Sequence, residues 1–407
     1  MNYIAKHAGG KLSNDPYIIT YDDIRRMYDE NLCDAAECES VTRSSYCGES
    51  FYSNDGRPGT GKLQDNRMAF FKEVLYRDTK TSGFVMSYPH GVVIQQGERG
   101  SYYRGENQIY DKSGTTLSRK LDQYSFDREK LLYRLIADMR IEEFGFFIQK
   151  FDRTKCWTEN GLTLLTEPLA QHYGLETDWL DITNDFNVAL FFATCFWSNA
   201  DRKWYPLTKE QTEKNEKTRF GVLFHAPYWR INEEQMFKIM QTGRDEGAIL
   251  PIGYQPFMRC HSQYGYGIHM QHSIPLQSNL AFEKLHFRHS EKLSKSVFNL
   301  MDGGKKIYPQ EGLDKFTDVI EKIRLATQFS EAAFIAALRK NRIATFSDKY
   351  RAELEKFSIG SKNIRICGDE HPFYVSRQRI RYANRKDAGF SIQKEYGIQL
   401  CCRQTYR

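Results

Sequence analysis

Polar chemistry is densest in QHYGLETDWLDIT, residues 171–183. Two aspartates, two threonines, a histidine and a tryptophan crowd there, just ahead of the apolar run NDFNVALFFAT. Gly174 suits the left-handed end of a helix that closes at Gln171, His172 and Tyr173. DWLDIT fits a short strand. Alternation along it sends Leu180 and Ile182 to one face, into a core, and Trp179, Asp181 and Thr183 to the other. Asn184 or Asp185 then caps the next helix, whose first turn carries positive partial charge. An acid, an alcohol and an aromatic plane at a strand-to-helix junction are the parts of a site for an anionic or polar ligand. The plainer alternative has Asp181 and Thr183 satisfying backbone groups of the turn. His172 by itself reads more simply as a partner of the helix C-terminal dipole.

GSYYRGENQ, residues 100–108, is the second stretch with chemistry. Arg104 ends an aromatic, strand-like run, and its guanidinium can grip a phosphate or carboxylate with two donors. Gly105 lets a backbone come close to a ligand. Two further stretches point less clearly. GRPGTGKL, residues 56–63, has the spacing of a phosphate-binding loop, but Leu63 replaces the hydroxyl that holds magnesium and no buried strand precedes it. It reads as a turn. RCHSQYGYGIHMQH, residues 259–272, places His269 and His272 three apart, but Gly265 and Gly267 argue against the helix that would converge them on a metal. No metal site is expected.

These residues need elements to hold them. The 407 residues, 40% apolar and 14% aromatic, are enough for more than one packed unit. Residues 1–81 read as a helical segment. FVMSY, VVIQQ and SYYR read as strands, and a long helix is expected over 127–151, where Leu131, Leu132, Leu135, Ile136 and Met139 follow helical spacing. Shorter helices are expected over 162–171 and 188–196. The polar stretch 205–218 reads as a loop, and FGVLF, AILPI and QPFMRC as strands. Helices follow over 291–301 and 313–325. The expected class is α+β, with a central mixed sheet, or two small sheets, flanked by helices over 82–326. A basic α/β segment follows over 327–407.

Nine scattered cysteines, with no CxxC pair, favour reduced thiols in a cytoplasm over disulfides or zinc. No stretch is apolar enough for a membrane span, and the first residues lack the apolar core of a secretory signal. The net charge of +6 is uneven. From Glu331 onward, 16 Lys/Arg stand against 8 Asp/Glu, a surplus of 8 that leaves the rest at −2. The tail is therefore the place for an acidic partner. If VSRQRIRY is a strand, Arg377, Arg379 and Arg381 share one face. With Arg385 they form a stripe suited to nucleic-acid phosphates.

Taken together, these motifs resemble the FRG domain family, which is known by a Phe/Tyr-Arg-Gly signature. Tyr103-Arg104-Gly105 matches that signature. Gln171-His172-Tyr173-Gly174 with Thr177 matches its Gln-His-x-Gly-x-x-Thr segment, Leu180-Asp181 with Thr183 its Leu-Asp-x-Thr, and residues 188–193 the helix that follows. Arg259, Gln263 and Gly265 resemble a later Arg and Gln-x-Gly pattern, and KKIYPQEGLD its closing segment. The likeness runs from Ser82 to Leu325. Asp178 stands where the family usually has Arg, and Ile182 where it usually has Trp.

A looser likeness extends to ADP-ribosyltransferases. It implies NAD as co-substrate and transfer of ADP-ribose to a macromolecular acceptor. In that picture Arg104, Asp181, Thr183 and Gln263 are catalytic. Arg104, Gly105, His172, Tyr173, Trp179, Thr183 and Arg259 bind the cofactor, with Arg104 on the pyrophosphate and Tyr173 or Trp179 against the nicotinamide. Gln263 stands where those enzymes carry a Glu. The same pocket as a non-catalytic nucleotide- or phosphate-binding module is the alternative expectation.

Overall fold

The structure, a computed structural model, describes residues 83–88, 91–96, 101–227, 249–270, 275–279, 282–309, 312–343, 347–368, 372 and 375–386. The helices expected within 1–81, the GRPGTGKL turn and His272 lie outside the described residues.

The class is α+β. A hairpin of β1 (Gly83–Tyr88) and β2 (Gly91–Gln96) precedes β3 (Ser101–Glu106). Four helices follow: α1 (Thr116–Leu121), α2 (Asp127–Ile148), α3 (Asp152–Glu159) and α4 (Thr166–His172). Then come β4 (Trp179–Thr183), α5 (Phe186–Thr194) and a hairpin of β5 (Cys195–Ser198) and β6 (Lys203–Pro206). The middle of the chain adds α6 (Lys209–Thr212), β7 (Phe220–Pro227), β8 (Ile249–Pro251), α7 (Arg259–Ser262), β9 (Gly265–His269) and β10 (Glu283–Arg288). Helices α8 (Glu291–Leu300) and α9 (Thr317–Arg324) lead into the tail.

One six-stranded sheet runs β10-β7-β3-β4-β9-β8. All its pairings are antiparallel. The mixture of directions expected for the central sheet is therefore confined to a small parallel pair in the tail, β11 (Gln328–Phe329) with β14 (Arg365–Ile366). Between β11 and β14 lie α10 (Glu331–Lys340), α11 (Ser347–Lys356) and the short pair β12 (Ser358–Ile359) and β13 (Lys362–Asn363).

Both faces of the sheet are covered. On one, Tyr103, Leu223 and Phe287 pack with Val188, Ala189 and Phe191 of α5 and with Leu293 and Val297 of α8. On the other, Tyr102, Leu180, Ile182, Phe224 and Tyr266 join Leu276 and Phe282. Leu180 and Ile182 thus enter a core as the alternation predicts. A glycine makes the α5 contact possible, because a Cβ on Gly105 would overlap the Ala189 carbonyl. The close approach that Gly105 permits in this structure is to a helix.

QPFMRC is not a strand. Pro256 has no N–H to give a ladder. Gln255 ties up the loop instead, accepting from Leu165 N at 3.0 Å and donating to Ile252 O at 3.0 Å. The stretch 205–218 holds β6's end, the capped helix α6 and a 3-10 turn at Lys217–Arg219 rather than plain loop.

In the tail, Phe329, Phe334, Ala337 and Leu338 share one apolar cluster with Leu132, Leu135, Ile136 and Met139 of α2. Lys340 reaches Asp138 and Glu167 at 2.7 and 2.8 Å. VSRQRIRY does not form a strand: Arg377–Lys386 is a helix, α12. Ile380 and Ala383, three apart, set the helical period by packing against the apolar cluster of α2, α7 and α9.

Candidate functional site

β3 and β4 are joined by a single pairing, Tyr103 with Thr183. An unbroken ladder would have set Arg104, Gly105 and Glu106 opposite Ile182, Asp181 and Leu180. The strands part there instead. The gap opens into a cleft of about 310 Å³ lined by residues of β3, β4, α5 and the β5–β6 hairpin together with Gln263. Arg104, Gly105, Asp181, Thr183 and Gln263 are all among the lining residues.

Arg104 bridges the gap. Its Nη1 donates to the Asp181 carbonyl at 2.7 Å, and its Nε donates to Glu106 Oε1 at 3.0 Å. Nη2 has no protein partner among the described residues, and the side chain is 20% exposed. Glu106 is the residue that sequence reasoning missed. Its side chain is only 4% exposed, and its second oxygen accepts from Ser113 Oγ at 2.6 Å. Gln277 secures that serine by donating to its Oγ at 2.7 Å. Both oxygens of Glu106 are thus occupied, and its work is to aim Arg104. The signal was available: residues 104 and 106 of one strand share a face.

Asp181 is different. Its Oδ1 is buried without a hydrogen bond, 3.6 Å from His172 Nε2, while the side chain as a whole is 38% exposed. One oxygen therefore faces a buried imidazole and the other the cleft. Burial holds His172 below its ordinary pKa, against the pull of the Asp181 charge. The formal charges of the lining side chains, one guanidinium against two carboxylates, sum to −1.

Thr183 and Gln263 are committed to the turn. Thr183 Oγ donates its proton to Gln263 O at 2.7 Å and accepts from Asp185 N at 3.0 Å. Gln263 Nε2 donates to Ile307 O at 3.1 Å. Asp185, one of the two expected caps, accepts from Val188 N at 3.0 Å and starts α5. The backbone-satisfying alternative describes the Thr183 hydroxyl, while Asp181 keeps an oxygen for the cleft.

Four residues expected to touch a cofactor lie outside the lining. Trp179 is buried, edge-on to His269 and over Gly267, where a Cβ would come within 2.5 Å of the indole. Tyr173 packs on Phe144 in the helical core. Arg259 stands over the rings of Tyr173 and Tyr308, at 4.5 and 5.0 Å, and pairs with Asp314 at 2.8 Å. His172 reaches the site through Asp181 and Gln263.

The aromatic wall comes from elsewhere, from Phe192, Phe196, Trp197 and Trp204. Trp197 stacks on Tyr308, and Trp204 Nε1 is buried with no partner among the described residues. Cys195 also lines the cleft, but burial pushes its thiol up to about 12, so it is not a thiolate nucleophile. Among the described residues no group of His, Cys, Asp and Glu is placed to hold a metal ion. No helix among them is long and apolar enough to cross a membrane.

The FRG domain family matches residues 99–202, so the chain carries an FRG domain. That span contains Arg104, Glu106, Asp181, Thr183 and Trp197, and ends before Trp204, Arg259 and Gln263. No curated protein and no solved structure matches the chain.

Proposed function

We propose that the cleft holds the nicotinamide–ribose end of NAD and that the protein transfers ADP-ribose to a macromolecular acceptor. One observation carries this reading. A net-negative cleft, with one free carboxylate oxygen and a wall of tryptophans, favours a planar cation over a phosphate. The nicotinamide of NAD is such a ring. A cavity of about 310 Å³ is at the small end of ligand pockets, enough for that half of the dinucleotide with the adenosine outside.

In the reaction the bond between the ribose C1′ and the pyridinium nitrogen breaks, and its electron pair goes to the ring, which leaves as neutral nicotinamide. The sugar develops oxocarbenium character. The acceptor's nucleophile then bonds to C1′ and gives up its proton. Asp181 would stabilise the cationic sugar as a preorganised charge. Arg104 Nη2 would donate to a ribose hydroxyl or the near phosphate. The pyrophosphate clamp that the resemblance implies is a lesser part of its work, because Glu106 already balances its charge.

Purified full-length protein, with and without cell extract, is incubated with NAD and free nicotinamide is measured. Release is expected, and Asp181→Asn should lower it about 100-fold or more while NAD still raises the thermal midpoint. A raised midpoint with no release from the unaltered protein would favour the non-catalytic binding module. Neither release nor a shift would sink the assignment of NAD altogether.

A further inference from the structure

The helix α12 breaks three local rules, and each violation leads to its outward face. Its first turn carries Arg377 and Arg379 and no acid, against the helix dipole. Arg377, Arg381 and Arg385 follow at i, i+4, i+8, so like charges stand over one another, an arrangement that weakens a helix. No acid anywhere in the helix offsets them. All three are exposed, and none is bonded to another described residue. Tyr382, between them in sequence, is 57% exposed.

The inner face is conventional and tightly held. Ile380 and Ala383 pack into the helical core. Arg379 turns inward, pairs with both oxygens of Asp318 at 2.9 and 2.7 Å and lies 4.6 Å over Phe316. The Asn384 side chain accepts from Asp152 N at 3.2 Å and donates to Lys150 O at 3.3 Å. The stripe is therefore Arg377, Arg381 and Arg385 without Arg379, on a rigid support. A local arrangement that opposes its own helix points to a role in binding.

We propose that this face binds single-stranded nucleic acid, with Arg377, Arg381 and Arg385 on backbone phosphates and Tyr382 stacked on a base. Successive arginines rise about 6 Å along the axis, so the three cations form a row that a strand's phosphates can follow. An exposed ring beside cations matches the stacking-plus-charge mode of single-strand binders. A membrane is disfavoured because Ile380 and Ala383 of α12 face the core, leaving no aliphatic side chain to enter lipid. The proposal does not depend on what occupies the cleft.

The test uses the full-length protein, a fluorescein-labelled oligothymidylate and fluorescence anisotropy from about 50 to 200 mM salt. Salt-dependent binding is expected. The triple variant Arg377→Gln/Arg381→Gln/Arg385→Gln should lower the slope of log affinity against log salt by about 2, three contacts at about 0.7 each. Tyr382→Ala should weaken binding about 5- to 150-fold. Lys292→Gln/Lys295→Gln, on the exposed side of α8, should change neither. Thermal midpoints of the variants should fall by no more than roughly a degree or two, since the three arginines repel one another and Tyr382 meets Lys386 of its own exposed face. Three results would overturn the proposal: no salt-dependent binding by the parent protein, an unchanged slope in the triple variant, or capture of phosphatidylserine vesicles without capture of the oligonucleotide.

Discussion

Arg104 works as an aimed donor because its neighbours leave it one free direction. Glu106 takes Nε, the Asp181 carbonyl takes Nη1, and Nη2 remains. Glu106→Gln keeps the shape but removes the charge-assisted bond, so it should lower stability by about 2 kcal/mol, read from urea midpoints. It should also depress nicotinamide release by loosening Arg104. A second residue shows how a departure from a family pattern can be absorbed. Asp178, in place of the usual Arg, pairs with Arg134 of α2. The guanidinium has in effect moved to the long helix. Asp178→Asn should cost about 2 kcal/mol, because it takes from a half-buried guanidinium the carboxylate bonded to it and leaves only the more distant Asp138 and Glu167. That Arg104, Asp181 and Thr183 line one cleft was legible in sequence, since strand alternation and a Gly neighbour mark them. Arg134 was not, because a charged residue within an amphipathic helix looks like any solvated one.

At the scale of elements, the site depends on α5 lying directly on β3. Gly105→Ala drives a methyl into the Ala189 carbonyl, and backbone cannot yield as a side-chain tip can. The expected cost is about 3 kcal/mol, seen in chemical denaturation, with loss of the cleft's activity in proportion. Asp185→Ala should cost about 1 kcal/mol by removing the cap of the same helix. Helix α5 and its cap were legible because an apolar run behind a small acid is a strong local signal. The arginines of the tail misled: Arg377, Arg379 and Arg381 alternate like a strand, and only the burial of Ile380 and Ala383 reveals the helical period. The tryptophan wall was hidden for another reason. Trp197 and Trp204 meet through a hairpin whose strands are four residues each and carry no clear periodicity.

The molecule as a whole carries buried imidazoles that answer to pH. Burial pushes His261 and His289 down to about 4. His289 bonds Asn107 O through Nε2 at 2.9 Å, and its Nδ1 is buried with no partner among the described residues. The unfolded chain takes up these protons near pH 6.5 and the folded one only near 4. Stability is therefore full above 6.5, falls as pH drops between the two values, and levels off below 4. By pH 5 each histidine should have removed about 2 kcal/mol, measurable as a lower urea midpoint than at pH 7.5. His289→Gln should flatten that dependence by one proton's share. Sequence marked β3, β4, β7 and β8 of the sheet but neither β9 nor β10, and not the order, since β10-β7-β3-β4-β9-β8 interleaves segments from across the chain through contacts that leave no local trace.

The lone rung between Tyr103 and Thr183 also makes the sheet two plates sharing a hinge pin. Each plate is braced by its own pairings, and beyond that rung the two are held by the Arg104 link and by the core that Tyr102 and Phe224 share with Leu180, Ile182 and Tyr266. A molecule wedged in the gap would rivet the plates. Its presence should therefore register as slowed deuterium uptake along Trp179–Thr183, even at amides it never touches.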